Sequence, residues 1–439
     1  MQITKSFALG AATIVLLAAC GNGGATTAPA TTKPATAAPP ATTAPATPTA
    51  AAATPTAAQS APASAPASAP ASAPASAPAS APASAPASQQ AGTWSVAVVT
   101  DVGTIDDKNF NQYSYEGAKL GAHTIGAADP AYVVPKDSSE YASDIQTFID
   151  QGANVIVTVG FNLNNDTLIA AKANPNVWFI GVDQNACVDA SGAPDSTFAC
   201  AGDASTLLPN FVGLQYQEDQ AGYLAGIVAG MITKNNTVAA IGGTNLVPAV
   251  VRYIQGFELG AKAANKKVKV DTAYVATDNF GDAFNNPGLG TTYADQFIQT
   301  NKPDVVFQVA GKTGNGILQS ACAAGLYGIG VDVDQYLSLN AAADATYGCI
   351  VTSAEKHLSA SVADVIQQIY LAKSSSDLGL DQFGSLHFNA ANDGIGVAPD
   401  HETPPVMTDA INTAVADALA AMQADPPLVT CPENCGSAQ

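Results

Sequence analysis

Residues 99–112 hold the densest set of groups able to do chemistry. An apolar run ends at Val99, and Asp101, Asp106, Asp107, Lys108, Asn109, Asn111 and Gln112 then surround one large aromatic, Phe110. Phe110 among so many polar neighbours is oddly placed for a core. At the mouth of a cleft its face could stack on a flat ligand ring, while nearby Asn and Asp side chains hydrogen-bond the ring edge. The alternative is a phenylalanine that staples the following helix in place. Asp101, Gly160 with Phe161, Asp183, Gly311 and Asp332 likewise follow short apolar runs directly. Ligands of open α/β sheets bind beyond the carboxyl ends of the strands, which is where such residues would sit. An Asp there could instead cap the next helix, and a Gly could simply make a turn.

The elements that must position these groups alternate. Residues 94–100, 155–159, 177–182, 238–241, 268–275, 305–309 and 328–331 read as buried parallel strands, rich in Val and Ile. Residues 141–149, 167–173, 221–232, 250–264 and 317–324 have helical spacing. Alternation of this kind builds βαβ units, and so many units suit two sheets better than one. The expected fold is α/β and two-lobed, each lobe a parallel sheet flanked by helices. The first lobe is expected over residues 93–213 and about 354–385, the second over 214–353. A helix at 359–370 rejoins the first lobe with Lys356, and residues 386–439, helical at 409–423, have no assigned place.

The chain ahead of this region is of another kind. Ala8 to Leu17 forms an apolar run of signal-peptide length, and Leu17, Ala18 and Ala19 precede Cys20. Small residues before a cysteine suit a lipoprotein signal peptidase, so Cys20 is the expected lipidation site and the membrane a partner through that anchor. Residues 21–92 are almost entirely Ala, Pro, Ser and Thr, a composition that buries no core and reads as an extended stalk.

Charge and cysteine usage narrow the function further. The region after the stalk carries 36 acidic residues against 14 basic ones, a formal net charge of −22, which disfavours nucleic acid and polyphosphate. Arg252 is the single arginine, so the usual bidentate clamp for phosphate or carboxylate is missing. Cys187, Cys200, Cys322, Cys349, Cys431 and Cys435 remain for disulfides; sequence neighbours suggest pairing in that order, although six cysteines allow fifteen connectivities. A zinc site is the weaker reading, because no histidine has finger-like spacing to these cysteines; no other spacing demands a metal, and no metal site and no cofactor are expected.

The segment from Asp101 to Gln112 resembles the signature of the basic membrane protein family, lipoprotein receptors that serve ATP-driven importers of purine nucleosides. Further matches follow in family order: Tyr223 to Gly226, Gly242 with Gly243, Gly311 to Gly314, Gly330 to Gln335 and Thr352 to Lys356. The resemblance covers about residues 95–370. It implies a periplasmic-binding-protein-like fold of type I, a monomer, a purine nucleoside ligand and an ABC transporter permease as partner. It also implies that Phe110 and Phe280 sandwich the base, with Phe284 as the alternative second stacker. Asn111 and Asp183 would read the base edge, with Asn109 and Gly311 beside the ligand. Asp101, Asp332 and Lys356 would hold the ribose hydroxyls. Carboxylates accept from such hydroxyls, and an ammonium donates back while offsetting their charge. Hinge closure over the ligand would present a shape that the permease recognises.

Three other readings compete. Gly311, Lys312 and Thr313 look like part of a phosphate loop, but that motif needs a glycine where Val306 stands. Asp101 with Asp106 and Asp107 resembles the carboxylate cluster with which nucleoside hydrolases hold Ca²⁺, although Val99 occupies the place of an expected Asp and the acidic pair begins one residue late. A signalling receptor or adhesin for another small neutral ligand is the third. None of His123, His357, His387 and His401 sits in a nucleophile motif, so no catalytic residue is assigned.

Overall fold

A computed structural model describes residues 94–372, 374–432 and 434–436. The expected signal peptide, Cys20 and the stalk lie outside the described residues. The first sheet contains β1 (Val96–Val99), β2 (Ala131–Val133), β3 (Val155–Val159), β4 (Trp178–Val182) and β5 (Phe211–Tyr216). The second contains β6 (Thr237–Gly242), β7 (Lys269–Tyr274), β8 (Val305–Val309), β9 (Tyr327–Asp332) and β10 (Ile350–Lys356). β11 (Ser385–Phe388) then completes the first sheet and β12 (Ile395–Val397) the second. The orders are β11-β5-β4-β3-β1-β2 and β12-β10-β9-β8-β6-β7.

Both faces of each sheet are covered, which explains the unbroken apolar runs. In β1, Val96 and Val98 join one core while Ala97 and Val99 join another on the opposite face. The alternation of side chains along a strand therefore buries every residue of the run. The second sheet does not conform to an all-parallel expectation, because its edge strand β12 runs antiparallel to β10. Residues 268–275 depart from the expected buried strand as well: β7 is an edge strand with no fully buried residue.

The chain changes lobe three times among the described residues. It crosses at Gln217 into the helix Glu218–Ile232, at His357 into the helix Leu358–Leu371, and across residues 389–394 between β11 and β12. The expected boundaries need correction accordingly. Residues 214–216 belong to the first sheet as the end of β5, and 354–356 belong to the second as the end of β10. The segment from 386 splits, with β11 in the first lobe and β12 and the helix Asp409–Met422 in the second.

Small residues let the flanking helices pair closely. Helices Glu218–Ile232 and Pro248–Ala264 cross so tightly that a Cβ at Gly226 would lie 2.2 Å from the Phe257 carbonyl oxygen, and one at Gly260 2.0 Å from that of Tyr223. No side chain fits there without moving a backbone. That contact fixes the relative placement of the two helix starts, which carry Glu218 and Arg252. Three disulfides join Cys187 to Cys200, Cys322 to Cys349 and Cys431 to Cys435.

Candidate functional site

The carboxyl ends of the strands of both lobes face one cleft, and the backbone turns there in an unusual way. Gly160 after β3 and Gly311 after β8 have φ of 109° and 52°; Asp183 after β4 and Asp332 at the end of β9 have 59° and 65°. Left-handed backbone suits glycine, and among other residues Asn and Asp tolerate it better than most. These four turns let side chains and backbone approach the cleft directly at the strand ends.

One buried ammonium organises the cleft floor. Lys356, the last residue of β10, donates from Nζ to both oxygens of Asp183 at 2.8 and 2.6 Å. Glu218 Oε1 and Asp332 Oδ1 stand 3.5 and 3.8 Å from the same nitrogen. The Phe110 and Tyr216 ring centroids lie 4.9 and 5.0 Å from it, close enough for cation–π attraction. Burial works against the lysine's charge, but Asp183, Asp332 and Glu218 outweigh it and hold its pKa above the ordinary lysine value. Burial pushes Asp183 up to about 6 despite Lys356, and raises Asp332 as well. Glu218 goes the other way: burial would raise it, but Arg252 and Lys356 hold it below the usual glutamate value. The Tyr253 hydroxyl donates to Asp332 at 3.1 Å.

The walls above this floor are mostly apolar. Phe110 and Phe161 come from the first lobe, and Phe284, Val247, Val250, Val309 and Val331 from the second, around roughly 680 Å3 of atom-free space including the open mouth. Asp101, Asn111, Asp183, Gly311, Asp332 and Lys356 all line the cleft, as Phe110 does. The Asn111 amide nitrogen is drawn to Asp107, and its Oδ1 is buried with no protein partner. A buried acceptor of that kind on a cleft wall suits a ligand donor.

Two expected site residues lie elsewhere. Phe280 does not line the cleft; it stacks on Phe284 with centroids 6.2 Å apart, and Phe284 takes the wall position. The reason is local: Asn279 caps a short helix Phe280–Phe284, which turns Phe284 toward the cleft and leaves Phe280 behind it. Asn109 is fully buried beneath the first turn of the helix Phe110–Thr124 and does not line the cleft either. Asp183 also differs from its expected neighbourhood, since it stands with Lys356 and Asp332 on the floor. Asp101 takes its hydrogen bonds on Oδ1 from the Tyr141 hydroxyl, Asn162 and the Val102 amide, and burial raises its pKa.

Tyr216, Glu218, Arg252 and Tyr253 form part of the constellation without having been expected there. Arg252 was conspicuous only as the single arginine. It is committed to Glu218, with Nε 2.6 Å from Oε2.

The loop after β1 also ties the lobes together. Asp107 accepts from the backbone amides of Asn109, Asn111 and Gln112 and so caps the helix that begins at Phe110. Across the gap, Lys312 donates to the Thr104 hydroxyl at 3.2 Å, Asn315 to the Asp107 carbonyl at 3.1 Å, and the Ser338 hydroxyl to the Lys108 carbonyl at 2.8 Å. Asp106 is exposed toward Thr104 and Lys312. Asp101, Asp106 and Asp107 thus do not converge in the manner of a Ca²⁺ site. Asp219, Cys431 and Cys435 do converge, but both sulfurs are spent in a disulfide.

The family model for PnrA-like ABC transporter substrate-binding proteins matches residues 94–410. The chain belongs to this family. Among its relatives, the ABC transporter nucleoside-binding protein BmpA of Lactococcus lactis subsp. cremoris is 26% identical over 336 residues, covering 74% of this chain and 86% of that one. Basic membrane protein A of Borreliella burgdorferi is 29% identical over 247 residues, covering 55% of this chain and 63% of its own. A solute-binding protein of an ABC transporter system from Aeropyrum pernix K1 shares the fold with a TM-score of 0.60 at 19% identity, over 77% of this chain and 94% of its own. Two helix-flanked lobes of the periplasmic-binding-protein type are thus the architecture of this chain. Members of the PnrA-like family are substrate-binding receptors that hold a small molecule for a transporter and act outside the cytoplasm. No described helix is long and apolar enough to cross a membrane.

Proposed function

We propose that this protein is a lipid-anchored receptor of an ABC importer that closes its two lobes over an intact purine nucleoside. The observation that carries the reading is that Phe110 of one lobe and Phe284 of the other line the same cleft as Asp183, Asp332 and Lys356. Two aromatic faces suit a planar base, and a floor of carboxylates around one ammonium suits sugar hydroxyls, which both donate and accept. Charge argues for a neutral ligand: Lys356 is already surrounded by three carboxylates and Arg252 is paired with Glu218, so neither is left over for a phosphate. The relative from Lactococcus, named for nucleoside binding, points to the same ligand class. Cys20 after Leu17, Ala18 and Ala19 supplies the anchor, and residues 21–92 the spacer between membrane and receptor.

Calorimetry with adenosine, guanosine, inosine, uridine and ribose tests this reading. Purine nucleosides are expected to bind without added metal, far more tightly than ribose alone, and to be recovered intact from the mixture. Equal affinity for ribose would remove the base-stacking claim, and release of free base would replace a receptor with a hydrolase.

A further inference from the structure

The chain beyond residue 410, where the family match ends, packs against the helices that carry Glu218 and Arg252. The helix Asp409–Met422 packs on the helix Glu218–Ile232. After it comes a small loop closed by Cys431 and Cys435. Thr430 is buried and donates to Asp219, and the Gly436 amide donates to Gln255 Oε1 at 2.9 Å. Gly436, with φ of 79°, lies directly on Arg252: a Cβ there would come within 3.3 Å of Nη1 and 3.4 Å of Cγ. Gly436 thus lies over the arginine, whose side chain keeps only 20% exposure while its partner Glu218 keeps none.

The two oxygens of Glu218 are used unequally. Oε2 accepts from Arg252 at 2.6 Å, whereas Oε1 stands 3.5 Å from Lys356 without a hydrogen bond. Lys356 leans instead on Asp183, at 2.6 Å. Three carboxylates compete for this one ammonium, and Arg252 satisfies one of them. Without the arginine in place, a buried and uncompensated Glu218 would draw Lys356 away from the cleft.

We propose that the Cys431–Cys435 disulfide and the adjoining Gly436 form a clasp that keeps Arg252 on Glu218, and that this buried pair positions the Lys356 ammonium for ligand. Arg252, Glu218 and the loop are positioning groups, and none of them touches the bound molecule. The charged and titratable groups facing the relay are Asp183, Asp332, Tyr216 and Tyr253 around Lys356, and Asp219 beside Arg252.

Two variants open the clasp by different means: Cys431→Ser with Cys435→Ser removes the bond, and Gly436→Val presses the intact loop off Arg252. The ligand arm of the test rests on the proposed function and uses adenosine; the second arm follows the Lys356 side-chain NMR signal with no ligand present. Adenosine affinity is expected to fall about three- to tenfold near pH 8, where Asp183 is ionised and holds Lys356. The Lys356 signal is expected to shift in both variants. An unshifted signal, or an adenosine affinity equal to that of the unaltered chain, overturns the clasp. If the unaltered chain takes up no adenosine, the nucleoside reading fails, and the Lys356 signal then decides the clasp by itself. Should the double variant not fold, Gly436→Val carries the same two readouts.

Discussion

Phe110→Ala is expected to lower purine nucleoside affinity about 10- to 100-fold while leaving the fold in place, since one aromatic face on a base is worth ~1–3 kcal/mol. Phe110 opens the helix Phe110–Thr124, is only half-buried, and meets the cleft at its side. Truncation therefore removes ligand contact more than core. Calorimetry measures the loss, and a urea midpoint close to that of the unaltered chain excludes a folding explanation. Unchanged affinity would mean that the ring only staples its helix, the alternative that the sequence leaves open. Phe284→Ala extends the same experiment to the opposite wall.

Lys356→Met has the larger consequence for stability. It keeps an unbranched side chain, one atom shorter, but strands Asp183, Glu218 and Asp332 in a buried floor, where Arg252 remains as the cation paired with Glu218. Removing one partner from a buried ion pair costs about 3–5 kcal/mol, and nucleoside binding is expected to fall by about 100-fold or more. The pH dependence follows from the carboxylates. Asp183 in the folded chain is already raised from 3.8 to about 6 with Lys356 present, and without the ammonium it rises further. A carboxylate with a raised folded pKa contributes stability that is complete below its unfolded value and is lost as pH rises through the folded one. The deficit of the variant is therefore expected to be large near pH 7.5 and to shrink toward about pH 5, read as urea midpoints. A deficit independent of pH over that span would show that the carboxylates do not depend on Lys356.

How far the sequence revealed this site depends on the kind of residue. Asp183 and Asp332 were legible because each follows an apolar strand run, and the parallel topology brings strand ends together whatever the details of packing. Lys356 and Asn111 were legible through the family signature. Tyr216 and Tyr253 were not, because a large aromatic in a strand or helix pattern reads as core, and core is most of what each is: both are nearly fully buried. Glu218 and Arg252 approach the cleft through the crossing of two glycine-bearing helices, a relation that no local spacing encodes. Phe280 and Phe284 are four residues apart in a short helix, and periodicity cannot say which of two such positions faces a ligand.

The fold shows the same division. The runs 155–159 and 305–309 announced their strands, since burial on both faces demands continuous Val and Ile. The helix Phe110–Thr124 left almost no apolar signal because its buried face is Ser114, Gly117, Ala118, Gly121 and Ala122. A Cβ at Gly121 would stand 2.9 Å from Ile366 Cβ, so the bulk of that contact comes from the helix Leu358–Leu371. β10 was missed for the opposite reason: Ser353, Glu355 and Lys356 break the apolar pattern of a strand because its end reaches the site. Polar residues spent on function weaken the very signal that would reveal the element carrying them.

Closure joins these parts. Three chain crossings link the lobes, and hydrogen bonds from Lys312, Asn315 and Ser338 hold the loop at Thr104 to Lys108 across the gap. A ligand that touches both lobes favours the joined form by the difference in its contacts between the open and joined states.

A crystal structure of this chain with adenosine bound tests the central claim most directly. The account predicts the adenine ring between Phe110 and Phe284, the ribose hydroxyls on the floor formed by Asp183, Asp332 and Lys356, and an intact glycosidic bond. Adenosine bound away from that cleft, or held in it without contact to either phenylalanine, would contradict it.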